Sequence, residues 1–287
     1  MTTYSQVLIT YANIIKLHPN ISLDRLRDPR RRFVFSIDIA EGLGDDHDYT
    51  VCTIFEILPM TPEEIQHLKV VQDEYSFFKL VQIGLIRSNE IESSVFAQVV
   101  YHVLTEMFIP ENVRIVIENN YDGNYFRKTL TTIYGEDNNE LDEDELFCQF
   151  PYNLKDDQSY VTRTGLVQTE KSKKAGTKLL KEQLSQNQIV LLEYITCEEA
   201  ISFARKKNRN GVYSNYSAMT GHDDCIMTCV NVAHIRTLPE FQELVDGVSG
   251  SCPPDFWKLV AEKLNKQDFT QEDSGDITDL FGASDDK

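Results

Sequence analysis

Apolar and polar residues alternate through "FVFSIDIA" (33–40), with Phe33, Phe35, Ile37 and Ile39 on one side and Val34, Ser36, Asp38 and Ala40 on the other. Period-two alternation marks a strand whose two faces meet different surroundings. "YTVCTIFEI" (49–57) reads as a second strand, joined to the first through a turn with Gly42 and Gly44, and "FKLVQIGLIR" (78–87) reads as a third. Connections of this kind join antiparallel neighbours. The period then lengthens: Ile91, Val95, Val99 and Val103 predict a helix over 89–108, with Asn89 and Glu92 as a capping box. "ENVRIVIENN" (111–120) returns to alternation, setting Val113, Ile115 and Ile117 against Arg114, Val116 and Glu118. A helix over about 122–133 follows, then a short strand in "LFCQFPY", a helix over 169–187 capped by Thr169, and a fifth strand at 188–193. Residues 196–207 have helical spacing, "NGVYSNYSAMTG" reads as irregular or hairpin, and 222–235 reads as a buried helix.

This order predicts an α/β fold: a mixed sheet of three antiparallel strands plus parallel strands, flanked by helices, over residues 31–237. Residues 1–30, running into "RLRDPRRR" (25–32), read as a lead-in or linker, 238–264 as a C-terminal extension, and 265–287 as an acidic tail expected to be disordered.

Composition narrows the class only a little. With 41% hydrophobic and 26% charged residues, the chain has the make-up of an ordinary soluble domain. It contains no apolar run near the roughly 20 residues needed to span a bilayer, and no membrane partner is expected. The N-terminus lacks a basic leader and a small-residue cleavage site, so it does not read as a secretion signal. Six scattered cysteines with no CxxC pair suggest reduced thiols in a cytosolic compartment.

Charge changes the picture more. A net charge of −18 argues against a nucleic-acid partner until its distribution is considered. "EDNNELDEDE" (136–145) and residues 265–287 hold seven acids each, so 14 of the 46 carboxylates lie in two loop-like segments. Residues 163–181 carry six basic residues, Lys171, Lys173, Lys174 and Lys178 among them, against one Glu. "RKKNR" adds Arg205, Lys206, Lys207 and Arg209. These stretches are either two solvated faces or one positive surface on an acidic body.

Three carboxylate features fall at the ends of predicted elements: Asp38 on the polar side of the first strand, Glu118 at the end of the fourth, and Asp223 with Asp224 opening the last helix. Taken singly, Asp38 suits a strand-end turn and Asp223 a helix cap. Taken together, they suit hard cations such as Mg²⁺ or Mn²⁺. A pair of such ions about 4 Å apart serves phosphodiester hydrolysis.

"SIDIAEGLGDDHDYT", "VIENNYDGNYF", "TEKSKKAGTKLLKEQL" and "GHDDCIM" resemble the nuclease domain of tailed-phage large terminases, within the RNase H-like, resolvase-related superfamily, from about Phe33 to Ile235. The resemblance implies an RNase H-like fold and a metal-dependent endonuclease that cuts concatemeric double-stranded viral DNA during genome packaging. It makes Asp38 the shared metal ligand and Glu118 the second, with Asp223 or Asp224 supplying the third. Asp48 fits an auxiliary acid, with Asp45 and Asp46 as rivals. Two Mg²⁺ or Mn²⁺ ions would be bound, and DNA would lie across the basic helix and "RKKNR". The family further implies an ATPase module, a small terminase subunit and a portal as partners, in the host cytoplasm and transiently at the procapsid portal.

One departure matters. "GLVQTEKS" (165–172) comes near a P-loop, but Glu170 replaces its second glycine, so no ATP site is expected in this chain. His222, Cys225 and Cys229 share a helical spacing without a fourth ligand, which does not make a zinc site. A junction resolvase of the same superfamily and a non-catalytic acidic adaptor of the same fold stand as alternatives.

Overall fold

The structure is a computed structural model and describes residues 4–40, 44, 48–136, 142–153, 160–207 and 213–266. Its centre is a mixed sheet. β1 (Ile15–Leu17), β2 (Phe33–Asp38), β3 (Thr50–Pro59), β4 (Phe78–Ser88) and β5 (Val113–Ile117) lie in the order β1-β4-β3-β2-β5. β2, β3 and β4 are antiparallel neighbours, and β5 runs parallel to β2 with Ile37 opposite Ile117. This is the mixed α/β sheet expected from the alternation.

Both faces of the sheet are covered, as a sheet with parallel strands requires. Phe33, Phe35 and Ile37 of β2 and Val113, Ile115 and Ile117 of β5 pack under α1 (Ser93–Met107) and α2 (Tyr121–Glu136). Val34 and Val116 face the opposite layer, built from α3 (Glu170–Ser185), α4 (Asp224–Val232), α5 (Pro239–Ser249) and α6 (Pro254–Lys266). α4 lies directly on the centre of the sheet. Ser36 Oγ donates to the Thr228 carbonyl at 2.7 Å, and the Thr53 and Thr228 hydroxyls meet at 2.6 Å. The alternation therefore puts Asp38 and Glu118 on the same face as α4.

Several boundaries differ from the sequence reading. The capping box expected at Asn89 and Glu92 is not formed: Glu92 is the N-cap without a side-chain bond, while Asn89 Nδ2 donates to the Gly44 carbonyl at 3.0 Å. The helix expected over 196–207 covers only Tyr194–Ser202, and Phe203–Lys207 leaves it as β9. The backbone there pairs with β10 (Tyr213–Ala218), and the Phe203 and Tyr216 rings stack with centroids 5.8 Å apart. The fifth strand shrinks to β8 (Ile189–Val190), which runs parallel to β4 on its outer side. "LFCQFPY" supplies β6 (Gln149–Asn153), which forms a separate hairpin with β7 (Tyr160–Thr164).

The segment read as a lead-in contributes β1 to the sheet edge. It also carries Arg25, whose guanidinium, with that of Arg31 just past its end, clasps the fully buried Glu56 of β3. Residues 238–264 likewise bury Phe241, Leu244, Phe256 and Val260 in the same core as Val34 and Phe55. No helix among the described residues is long and apolar enough to cross a membrane.

Candidate metal centre

The β2–β5 pairing decides the site. With Ile37 opposite Ile117, the next residues, Asp38 and Glu118, leave two adjacent parallel strands at the same end and on the same face. β5 stops there for a local reason. After β5, Asn119 N–H bonds the Leu166 carbonyl at 2.7 Å, and Asn120 Oδ1 accepts from Gly123 N–H at 2.6 Å to start α2. A Cβ on Gly123 would lie 2.0 Å from the Glu118 carbonyl oxygen, so only glycine lets α2 begin this close to the strand end.

α4 brings its acids above that edge. Asp224 is buried and its Oδ2 accepts from Tyr49 N–H at 2.9 Å, tying the helix to the start of β3. Asp223 occupies the N-cap but makes no capping bond with its side chain; its Oδ2 instead accepts from Ala218 N–H at 3.2 Å. Asp38 is paired with Val51 inside the sheet. Neither residue therefore plays the isolated turn or cap role that each suits alone.

Two basic side chains flank the acids. Lys173 Nζ lies 3.7 Å from Asp223 Oδ2, and its charge acts on Asp38 and Glu118 as well. Across the cluster, His222 Nδ1 is 3.3 Å from Asp48 Oδ1 and 3.7 Å from Asp224 Oδ2. Asp48, His222 and Asp224 bring three possible ligand atoms within 4.8 Å of one another. The His222 ring stands edge-on to Tyr49, whose face carries the Arg87 guanidinium.

The acids are electrostatically crowded. Burial first, then repulsion from Glu118, Asp224 and Asp223, holds the Asp38 carboxyl well above the usual range, with Lys173 opposing. Glu118 is raised by burial against the pull of Lys173 and a hydrogen bond from Asn120. Burial pushes Asp224 up to about 6; Asp48 and Glu199 add to the rise, while the Tyr49 N–H and His222 oppose it. An oxygen-rich set whose members resist ionisation chiefly because they are shielded from water, with repulsion added at Asp38, fits a divalent cation.

Of the residues singled out in the sequence, Asp38, Glu118, Asp223 and Asp224 converge, and Asp48 joins from the His222 side. Asp45, Asp46 and Arg209 lie outside the described residues. Lys171, Lys174 and Lys178 are exposed on α3, and Arg205 is exposed on β9, with Lys206 and Lys207 next along that strand. Lys173 differs: only 20% of its side chain is exposed, against 79% for Lys178 on the same helix. The helical period places Lys173 beside the buried stripe, one position from Ser172 and three from Gly176, but which acids it meets there depends on how α3 packs. His222, set aside with the zinc pattern, meets Asp48 and Asp224 just before α4, while Cys225 and Cys229 are buried within that helix.

No family profile matches the chain. Among solved structures it is similar to the large terminase nuclease from thermophilic phage G20c with bound magnesium, at 12% identity, over 72% of this chain and 83% of that one, with a TM-score of 0.46. The same nuclease with bound cobalt aligns at 12% identity over the same shares, with a TM-score of 0.45. The Thermus phage P74-26 large terminase nuclease domain aligns at 12% identity over 71% of this chain and 79% of that one, with a TM-score of 0.42.

Proposed function

We propose that the chain is a Mg²⁺- or Mn²⁺-dependent endonuclease that hydrolyses double-stranded DNA, acting as the nuclease of a viral packaging terminase on concatemeric genomes. The observation that carries this reading is the meeting of Asp38, Glu118 and Asp224, with Asp223 beside them, from two strand ends and a helix N-terminus far apart in sequence. These residues would hold the metal, and Asp48 and His222 would complete its outer side. Bound there, divalent ions supply an activated water and charge stabilisation at the leaving oxygen. The chain's own part is to fix the ligands: the Tyr49 N–H orients Asp224, Asn120 orients Glu118, and the Ala218 N–H orients Asp223. Lys171, Lys174 and Lys178 on α3 with Arg205 on the neighbouring hairpin would hold backbone phosphates with little base readout, and Lys206, Lys207 and Arg209 are further candidates from the sequence. An ATPase module, a small terminase subunit and a portal would be its partners, in the host cytoplasm and at the procapsid portal.

Incubation with supercoiled plasmid tests the reading. Nicking and linearisation should require Mg²⁺ or Mn²⁺, stop in EDTA, and be absent in Asp38→Asn. A parent protein that leaves the plasmid intact with either ion would instead fit a non-catalytic adaptor.

A further inference from the structure

The two sides of the carboxylate cluster are not equivalent. On one side Asp48, Asp224 and His222 offer donor atoms, and a neutral imidazole nitrogen is itself a metal ligand. On the other, Asp38, Glu118 and Asp223 share a cation that the chain already provides. Lys173 is delivered there by its helix: a Cβ on Gly176 would lie 2.8 Å from Val230 Cγ1 and 2.5 Å from His234 Nε2, so α3 is pressed against α4. The Thr169–Ser172 capping box fixes the first turn of α3, and the Phe203 ring stands 5.6 Å from the ammonium. The backbone is therefore fixed, while the side chain remains a four-carbon stem ending in a compact charge with three donors.

Resting on the metal-dependent reading above, we infer that Lys173 stands in for one divalent ion in the metal-free site, so that the two sides load unequally. The Asp48–His222–Asp224 side fills first. The Asp38–Glu118–Asp223 side fills only when the Lys173 ammonium is drawn away, and a DNA phosphate is the anion that can draw it. Lys173 is thus a positioning residue that ties completion of the metal site to the arrival of substrate. An ammonium and a divalent ion within about 4 Å of each other repel strongly even with partial screening. Removing the charge should therefore be read directly in metal affinity.

The test is calorimetric titration of Mn²⁺ into the metal-stripped full chain. The parent should bind one ion tightly and a second weakly. Lys173→Met, which keeps the stem, should bind the second at least about tenfold tighter, and Lys173→Arg should resemble the parent. Lys181→Gln, on the exposed face of the same helix, should change neither step. A phosphorothioate duplex, which resists hydrolysis, should tighten the parent's second step but not that of Lys173→Met. If Lys173→Met fails to fold, Lys173→Gln serves in its place, and the duplex arm on the parent stands independently. Identical isotherms for the parent and the charge-free variant would overturn the inference, as would a second step in the parent that ignores the duplex. A parent that binds no Mn²⁺ at all would overturn the metal-dependent reading itself.

Discussion

β2 and β3 carry an acid at each end of the same sheet, half-buried Asp38 and fully buried Glu56, and the two ends are treated differently. Glu56, opposite Phe33, is fully buried and answered twice over: Arg25 Nη2 lies 2.6 Å from its Oε2, and Arg31 Nη1 contacts its Oε1. One negative charge meets two positive ones, with directed hydrogen bonds to both oxygens. At the other end Asp38 faces Glu118, Asp223 and Asp224, and Lys173 is the positive charge that acts on it. A buried carboxylate with its counter-charges in place holds a fold together. A group of carboxylates short of counter-charge suits a cation, whose binding would relieve their repulsion.

The largest effects should break the comparison at the Asp38 end. Asp38→Asn, Glu118→Gln and the joint Asp223→Asn, Asp224→Asn change should each abolish plasmid cleavage, by about a thousandfold or more, while circular dichroism stays unaltered. Undiminished nicking by any of them would remove that position from the site.

At the Glu56 end the expected loss is of stability. Replacing Arg25 and Arg31 together by Ala leaves a fully buried carboxylate unpaired, which should cost about 2–3 kcal/mol in urea unfolding, the arginines being partly exposed. Cleavage per folded molecule should not change. Lost activity in the folded variant would show that the N-terminal segment serves the site as well as the sheet.

A smaller effect has the opposite sign. In EDTA, Asp38→Asn should melt higher than the parent, by the equivalent of about 1 kcal/mol, because it removes one member of the repelling group. It should also gain less from added Mn²⁺, since a ligand stabilises only the state that binds it. A variant that melts lower in EDTA and gains as much from Mn²⁺ would return Asp38 to a purely structural role.

The smallest effect concerns pH. With the folded Asp224 carboxyl near 6 and the ordinary value at 3.8, the native state holds more protons than the unfolded state between those limits. The metal-free stability from this group is therefore present at low pH and lost as pH rises through about 6. Acidifying from pH 7 to 5 in EDTA should stabilise the parent relative to Asp224→Asn by about 1 kcal/mol or less. A parent that loses ground to the variant over that interval would contradict the crowding.

Much of the site could be read along the chain. Strict alternation in 33–40 and 111–120 assigned Asp38 and Glu118 to the polar faces of their strands, because a side chain in a strand has only two directions to point. The basic helix and the buried last helix were equally visible in their spacing. Less legible were short elements whose stability comes from partners. β1, β7 and β9 span only three to five residues each, and they exist because β4, β6 and β10 accept their backbone hydrogen bonds. Residues 203–207 have helical spacing on paper, yet the pairing with β10 and the Phe203–Tyr216 stack prevail.

What the sequence by itself determined is therefore the set of strands, the faces of their acids and the type of chemistry that clustered carboxylates can support. What only the tertiary structure decided is which basic side chains meet them. Lys173 and Lys174 are neighbours in sequence, but a helix turns about 100° per residue, so one enters the cluster and the other faces water. His222 adjoins Asp223 along the chain, yet it meets Asp48 only because α4 docks over the start of β3 through the Tyr49–Asp224 bond. Local patterns fix a residue's direction within its own element; distances between elements come from packing, and charge interactions depend on those distances.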